Sequence, residues 1–277
     1  MRGAALMGVL NVTPDSFYDG GRHATPEAAA RRIDELLAEG ADILDIGGES
    51  SRPGAEPVPA AEQIRRIEPA VRYAVDRGAL VSVDTTSPEV AEHALRLGAV
   101  LVNDVSCLAD PELAAVCARF GSGLVIMHSR GPMSKMPGFS QYPETGYRDV
   151  VAEVLIELSR ARERACERGL ARENVFFDPG LGFTKNARQS FALLRGLARF
   201  AETGAPLVVG PSRKSFIAAV DSAPPERRLG GTIAACLMAV EHGASVLRVH
   251  DVADVAQALA VATAIRHGLP TAEVQHA

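Results

Sequence analysis

Short apolar runs alternate along this chain with longer segments whose apolar positions recur every three or four residues. Runs at 6–10, 43–46, 80–83, 100–102, 124–127, 175–177, 207–209 and 245–249 are short, and their β-branched content predicts strands. Helical periods occupy 26–39, 60–77, 88–97, 111–120, 148–168 and 252–267, and runs six and seven each lead through a glycine-containing turn into a further helix. Punctuation agrees with the periods. Thr25 before Pro26 and Ser87 before Pro88 are N-cap signals, and Gly78, Gly98, Gly121 and Gly169 stop their helices. Repeated Gly-Ala pairs (40-41, 78-79, 98-99, 243-244) mark the turns that lead into strands. Alternating strands and helices indicate parallel βαβ units. Eight such units, with no linker or composition break, favour a closed (β/α)8 TIM barrel over a doubly wound sheet, with residues 1–277 as a single domain.

Nearly every apolar run ends in polar residues. The clusters are Asn11 to Asp15, Asp45 with Gly47 to Arg52, Asp84-Thr85, Asn103-Asp104, Met127-His128, Asp178 to Phe183, Ser212 to Lys214 and Arg248 to Asp251. A barrel delivers the carboxyl ends of all its strands to one face, so these clusters should converge there. Long connections follow the first, second and fifth strands, and long loops in compact domains tend to be binding loops or lids.

Composition narrows the partners. Of 277 residues 47% are apolar, enough for a large core, but only 5% are aromatic and Trp is absent. The net charge of −5 comes from interspersed charges, and no long basic run invites nucleic acid or a membrane surface. The four cysteines show no metal or disulfide spacing, only ten residues precede Asn11, and no apolar run approaches the ~18 residues of a membrane span. The chain reads as cytosolic and soluble.

Taken singly, each cluster admits a plain reading beside a chemical one. The stretch Gly47-Gly48-Glu49-Ser50-Ser51-Arg52-Pro53-Gly54 is either an anion cradle with an Arg clamp or a solvated turn. Ser212-Arg213-Lys214-Ser215 reads as a helix start after the seventh strand, suited to phosphate or a ligand carbonyl, or merely as a capped terminus. Alternation puts Arg248 and His250 on one side of the eighth strand, facing an anion or else a salt bridge to Asp251 or Asp254. Asp84 can cap a helix, and Asp178 can begin a turn. His128, without a second His or Cys nearby, reads as a satisfied loop histidine rather than a zinc ligand.

The ordered motifs spell something more specific. Gly8 to Phe17 followed by Asp19-Gly20-Gly21, Asp45 to Gly54, Ser82-Val83-Asp84-Thr85, Asn103-Asp104-Val105, Asp178 to Phe183, Ser212 to Ser215 and Leu247 to Asp251 resemble, in order, the signatures of dihydropteroate synthases. The resemblance runs over residues 7–265. It implies a (β/α)8 barrel that condenses (7,8-dihydropterin-6-yl)methyl diphosphate with 4-aminobenzoate, in folate biosynthesis. It also implies roles: Asp84, Asn103, Asp178, Lys214 and Arg248 bind the pterin, and Asn11, Arg248 and His250 hold the pyrophosphate. Mg²⁺ is implied as cofactor with Asn11 as its protein ligand. Ser51, Arg52, Pro53, Phe183 and Ser212 would surround the aminobenzoate, and Asp15, Arg52, Lys214, Arg248 and His250 would act on the reacting groups. The resemblance further implies a homodimer.

Three features depart from the family pattern. Ser51 stands where Thr is usual, Tyr18 replaces a small Ser, and the 129–147 segment differs from the short loop of relatives, which leaves its shape open. Two other readings compete. A corrinoid methyltransferase-type pterin domain would not need the Ser51-to-Gly54 or Ser212-to-Lys214 segments, and a non-catalytic paralogue would bind pterin without releasing pyrophosphate.

Overall fold

The computed structural model describes residues 3–13, 25–50, 54–131, 135–136 and 138–268. In chain order the strands are β1 (Ala5–Asn11), β2 (Ile43–Gly47), β3 (Leu80–Asp84), β4 (Leu101–Asp104), β5 (Gly123–Met127), β6 (Val175–Asp178), β7 (Val208–Val209) and β8 (Val246–Val249). The helices are α1 (Pro26–Ala38), α2 (Ala60–Asp76), α3 (Pro88–Arg96), α4 (Glu112–Phe120), α5 (Val150–Glu167), α6 (Ala187–Arg195), α7 (Leu197–Ala201), α8 (Leu229–Glu241) and α9 (Val252–His267). Every named strand pairing is parallel, in the order β6-β5-β4-β3-β2-β1-β8-β7. The two ends of that order meet. Phe177 pairs with Leu207, and the Phe177 N–H donates to the Pro206 carbonyl at 2.9 Å, which closes the expected barrel.

The two-residue period divides each strand between two cores. Leu6, Leu44, Ile46, Val81, Val83, Val102, Leu124, Ile126, Phe177, Leu247 and Val249 point outward into the large cluster shared with the helices. Met7, Leu101, Val125, Val208 and Val246 fill the floor of the barrel, with Ile43 and Phe176 packed on them. One pleat further along, the same inward face carries Asp45, Asp84, Asn103, Asp178 and Arg248. Those groups crown an apolar plug.

Helix ends form where local chemistry directs. Thr25 and Ser87 accept N–H bonds from Ala28 and Val90 as N-caps. The Gly-Ala pairs close four helices: Gly40, Gly78, Gly98 and Gly243 all have positive φ, and each following Ala N–H reaches back five residues to a helix carbonyl. At the start of α4 the Asp110 side chain accepts from the Glu112 N–H at 2.9 Å. One expectation needs correction. The segment Ser212 to Ser215 does not start a helix. Arg213 is left-handed at φ 55°, short 3-10 turns occupy Ile217–Ala219 and Pro225–Arg227, and α8 begins only at Leu229. Pro211 and the Pro224-Pro225 pair deny this stretch continuous helical hydrogen bonding.

Candidate active site

Adjacent strands place their terminal residues shoulder to shoulder: Asn11 faces Gly47, Gly47 faces Asp84, and Asp84 faces Asn103. Arg248 reaches across from β8 into this row. Its Nε donates to Asp45 Oδ2 at 2.6 Å and its terminal nitrogen to Asp84 Oδ2 at 2.8 Å, while Asn103 Nδ2 donates to the same Asp45 oxygen at 3.2 Å. Asp45 is wholly buried and its Oδ1 has no hydrogen-bond partner among the described residues. A buried carboxylate persists only when paired, and one guanidinium here serves two. Burial lifts the Asp84 carboxyl to about 7, against the pull of Arg248 and with a further push from Asp45. For Arg248 burial opposes the charge, but Asp45 and Asp84 raise its pKa still further.

On the opposite arc, Asp178 ends β6 and accepts the Gly180 N–H at 2.7 Å. Gly180 has φ +69°, and a side chain there would meet the His128 carbonyl oxygen at 2.1 Å, so the turn admits only glycine. Burial raises the Asp178 pKa, with Lys214, the Gly180 N–H and Arg248 pulling it back. Burial also lowers Lys214 to about 8, opposed by Asp178. Lys214 Nζ lies 4.6 Å from the centre of the Phe183 ring. His250 Nδ1 is 3.0 Å from Ser212 Oγ. Burial, then Arg248 and Arg213, push His250 down to about 4. At neutral pH it therefore offers hydrogen bonds rather than charge.

The barrel thus gathers Asn11, Asp84, Asn103, Asp178, Phe183, Ser212, Lys214, Arg248 and His250 at its carboxyl mouth. The alternative reading of Arg248, a local salt bridge, does not hold. Neither Asp251 nor Asp254 pairs with it, because Asp251 is taken by Arg213, whose Nε donates to it at 2.9 Å. Asp15, Ser51, Arg52, Pro53 and Tyr18 lie outside the described residues.

Two residues were missed from the site. Asp45 organises the floor, and its signal was a carboxylate inside an apolar strand one pleat below the strand end. Lys185 is fully buried behind the Asp178 turn. Its Nζ contacts His128 Nδ1 at 2.9 Å and donates to the carbonyls of His128 and Phe183 at 3.0 and 2.9 Å. His128 Nε2 lies 2.9 Å from Glu157, and Arg130 bonds Glu157 in turn. The Lys185 N–H donated to Nδ1 leaves the proton of the neutral His128 ring on Nε2, facing Glu157. Burial, then Lys185, push His128 to about 4, and burial lowers Lys185 to about 7. His128 is thus a satisfied histidine, as its isolation in sequence indicated.

Among the described residues no group of three or more His, Cys, Asp or Glu is placed to hold a metal ion. The Asn11 side-chain oxygen, 3.5 Å from the position a Gly47 side chain would take, is the hard neutral donor at the mouth. That suits a cation which keeps most of its water or takes its remaining ligands from phosphate oxygens, as Mg²⁺ does.

Comparison with known proteins agrees with this geometry. The model of the pterin binding enzyme family matches residues 7–250. A dihydropteroate synthase from a Synechocystis species is 42% identical over 265 residues, covering 94% of this chain and 89% of that protein. A probable bifunctional folylpolyglutamate synthase/dihydropteroate synthase from Haloferax volcanii is 41% identical over 95% of this chain, which spans only 31% of that longer protein. Among solved structures, dihydropteroate synthase from Xanthomonas albilineans in complex with 7,8-dihydropteroate has a TM-score of 0.83 and 39% identity, with 96% of this chain and 95% of that chain covered.

Proposed function

The chain belongs to the pterin binding enzymes, and within them to the dihydropteroate synthases, and from that premise we propose how its own residues divide the work. The enzyme condenses (7,8-dihydropterin-6-yl)methyl diphosphate with 4-aminobenzoate and releases pyrophosphate. The bond from the methylene carbon to the bridging oxygen breaks, its electron pair leaving with the diphosphate. The arylamine nitrogen then bonds to that carbon and loses a proton.

What supports this reading is the meeting of Asp178, Lys214 and Arg248 at one mouth, each buried among the others' charges. A pterin offers its 2-amino group and adjacent ring N–H as paired donors, which an ionised carboxylate accepts two at a time. Asp178 takes that edge. The 4-oxo group and N5 are acceptors, and Lys214 donates to them. Asn103 and Asp84 complete the ring edge. Arg248 spends two hydrogen bonds on Asp45 and Asp84, which fixes the guanidinium plane as a wall against the heterocycle and leaves further N–H donors for the diphosphate. His250 and Asn11 stand beside it. An arriving polyanion raises the His250 pKa, so a proton can follow the substrate onto the imidazole.

Asn11 would hold Mg²⁺ together with diphosphate oxygens, and the bound ion supplies charge neutralisation to the leaving group. The remaining catalysis is positioning and electrostatics, which asks for no side-chain nucleophile. Phe183, Ser212 and Lys214, with Ser51, Arg52 and Pro53, flank the aminobenzoate, and closure of the first loop with Asp15 keeps water from the cationic methylene. The chain works as a homodimer on this reading. Support comes from the apolar groove between α6 and α8, lined by Phe191, Phe216, Ile217 and Met238, beside which Val220 is 79% exposed.

Calorimetry and steady-state kinetics test the assignment together. Asp178→Ala and Lys214→Ala should each weaken pterin diphosphate binding by about tenfold or more, since hydrogen bonds to charged groups are worth ~1.5–3 kcal/mol. Arg52→Ala should slow turnover more than it weakens pterin binding. Unchanged pterin affinity in Asp178→Ala contradicts the assignment.

A further inference from the structure

The described residues of the 129–147 segment, whose shape the sequence left open, brace the loop that carries Phe183. Its ends are pinned there. The Arg130 N–H donates to Thr184 Oγ1 at 3.0 Å, and the buried Tyr147 hydroxyl donates to the Thr184 carbonyl at 3.1 Å. The Arg130 guanidinium lies over the Tyr147 ring at 3.9 Å and donates to Glu153 at 2.8 Å. Further along, Gln189 Nε2 donates to the carbonyls of Pro143 and Glu144, both at 3.2 Å. None of this is needed to close a barrel.

The middle of the segment reaches the mouth itself. The Ser140 N–H donates to the Gly182 carbonyl at 3.2 Å, and Ser215 Oγ donates to Ser140 Oγ at 2.8 Å, so one residue ties the Phe183 loop to the Lys214 loop. Next to it, Phe139 meets Phe183 edge to face, with ring centres 5.2 Å apart and planes at 87°. Buried Met136 joins Val105, Met127 and Phe183 in a separate apolar cluster. Lys214 Nζ sits near the Phe183 ring as well, 4.6 Å from its centre. A ring held on one side by an aromatic edge and approached by a cation has little freedom left.

Resting on the reading that Phe183 flanks the aminobenzoate, we propose that the described part of this segment, around Met136, Phe139 and Ser140, forms the outer wall of the aminobenzoate subsite. In that wall Phe139 is a positioning residue that sets the Phe183 ring against the incoming aromatic amine. It touches no reacting atom and acts through Phe183. Asp178 begins the same loop after β6 that carries Phe183, but Phe139 packs on the Phe183 ring. Asp178 is held by the Gly180 N–H and Asn103 by Asp45, so trimming Phe139 leaves the groups that read the pterin in place.

Steady-state kinetics with each substrate varied separately test this in Phe139→Ala, Phe139→Tyr, Phe183→Ala and the Phe139→Ala/Phe183→Ala pair. The expected result is a rise of about three- to tenfold in the 4-aminobenzoate KM of Phe139→Ala, the scale of one aromatic pair. The KM for the pterin diphosphate should stay within about twofold, as no contact to that ligand is lost. Phe139→Tyr, which keeps the aromatic edge, should restore the native value, and the double variant should be no worse than Phe183→Ala alone. If Phe183→Ala raises the aminobenzoate KM and Phe139→Ala does not, the positioning role is wrong while the subsite stands. If neither changes it, the subsite reading falls and the positioning role with it. An equal rise for both substrates with a lowered melting temperature also overturns the proposal, because it marks general loosening.

Discussion

Asp45 holds one oxygen against both Arg248 and Asn103 and lies at the bottom of the polar layer. Removing its charge leaves Arg248 bound to Asp84 alone, and breaking a buried ion pair costs ~3–5 kcal/mol. Asp45→Asn should therefore unfold at lower denaturant with unchanged slope, and should bind pterin diphosphate more weakly because the guanidinium loses its fixed plane. Retained stability in that variant would show that Asp84 suffices. His128 makes a second prediction, in pH. Its folded pKa of about 4 lies below the ordinary 6.5, so between those values the unfolded chain holds the extra proton. Stability is then complete above pH 6.5 and falls as pH drops toward 4. Below that, Glu157, held at about 2 by His128 and Arg130, loses its contribution as pH falls from 4.5. His250 titrates over the same range, so the check is a comparison: His128→Asn should flatten the fall of melting temperature between pH 6.5 and 4, and an identical slope argues against a buried neutral imidazole.

At the scale of elements, the glycines that end helices are not equivalent. Gly98 has φ +107° and a side chain there would meet Val75 at 2.9 Å, whereas Gly78 has φ +76° and nothing within 4 Å. Gly78→Ala should cost only the left-handed backbone penalty of ~1–2 kcal/mol. Gly98→Ala adds a clash on the α2 side and should be the more damaging by about 1 kcal/mol or more in denaturant titration. Such ends were legible because a cap is local chemistry: Thr25, Ser87 and the Gly-Ala pairs carry their instructions within a few residues. The stretch after β7 was not legible. Its apolar residues Phe216 and Ile217 imitate a helical face, but the left-handed Arg213 is stabilised by Thr232, nineteen residues on, whose hydroxyl accepts its N–H at 2.9 Å.

Across the whole molecule, the barrel was readable from alternation, and so was the face on which the polar clusters meet. Which charges pair on that face was not. Arg248 finds Asp45 across 203 residues of chain and Asp84 across 164, and no local period announces such partners. Lys185 was passed over for the same reason, since only closure of β5 against β6 makes a lysine beside a turn into a buried one. Assembly yields to the same test of surfaces. Val220→Glu should shift the chain to monomer in sedimentation, with the fold retained, if the groove between α6 and α8 is covered by a second copy. The chemistry is read at the mouth. A crystal structure with pterin diphosphate, Mg²⁺ and 4-aminobenzoate measures it most directly. The heterocycle should lie with its amino edge on Asp178 and its oxo edge on Lys214, the diphosphate beside Arg248 and His250. A pterin seated anywhere that leaves Asp178 without those donors contradicts the assignment.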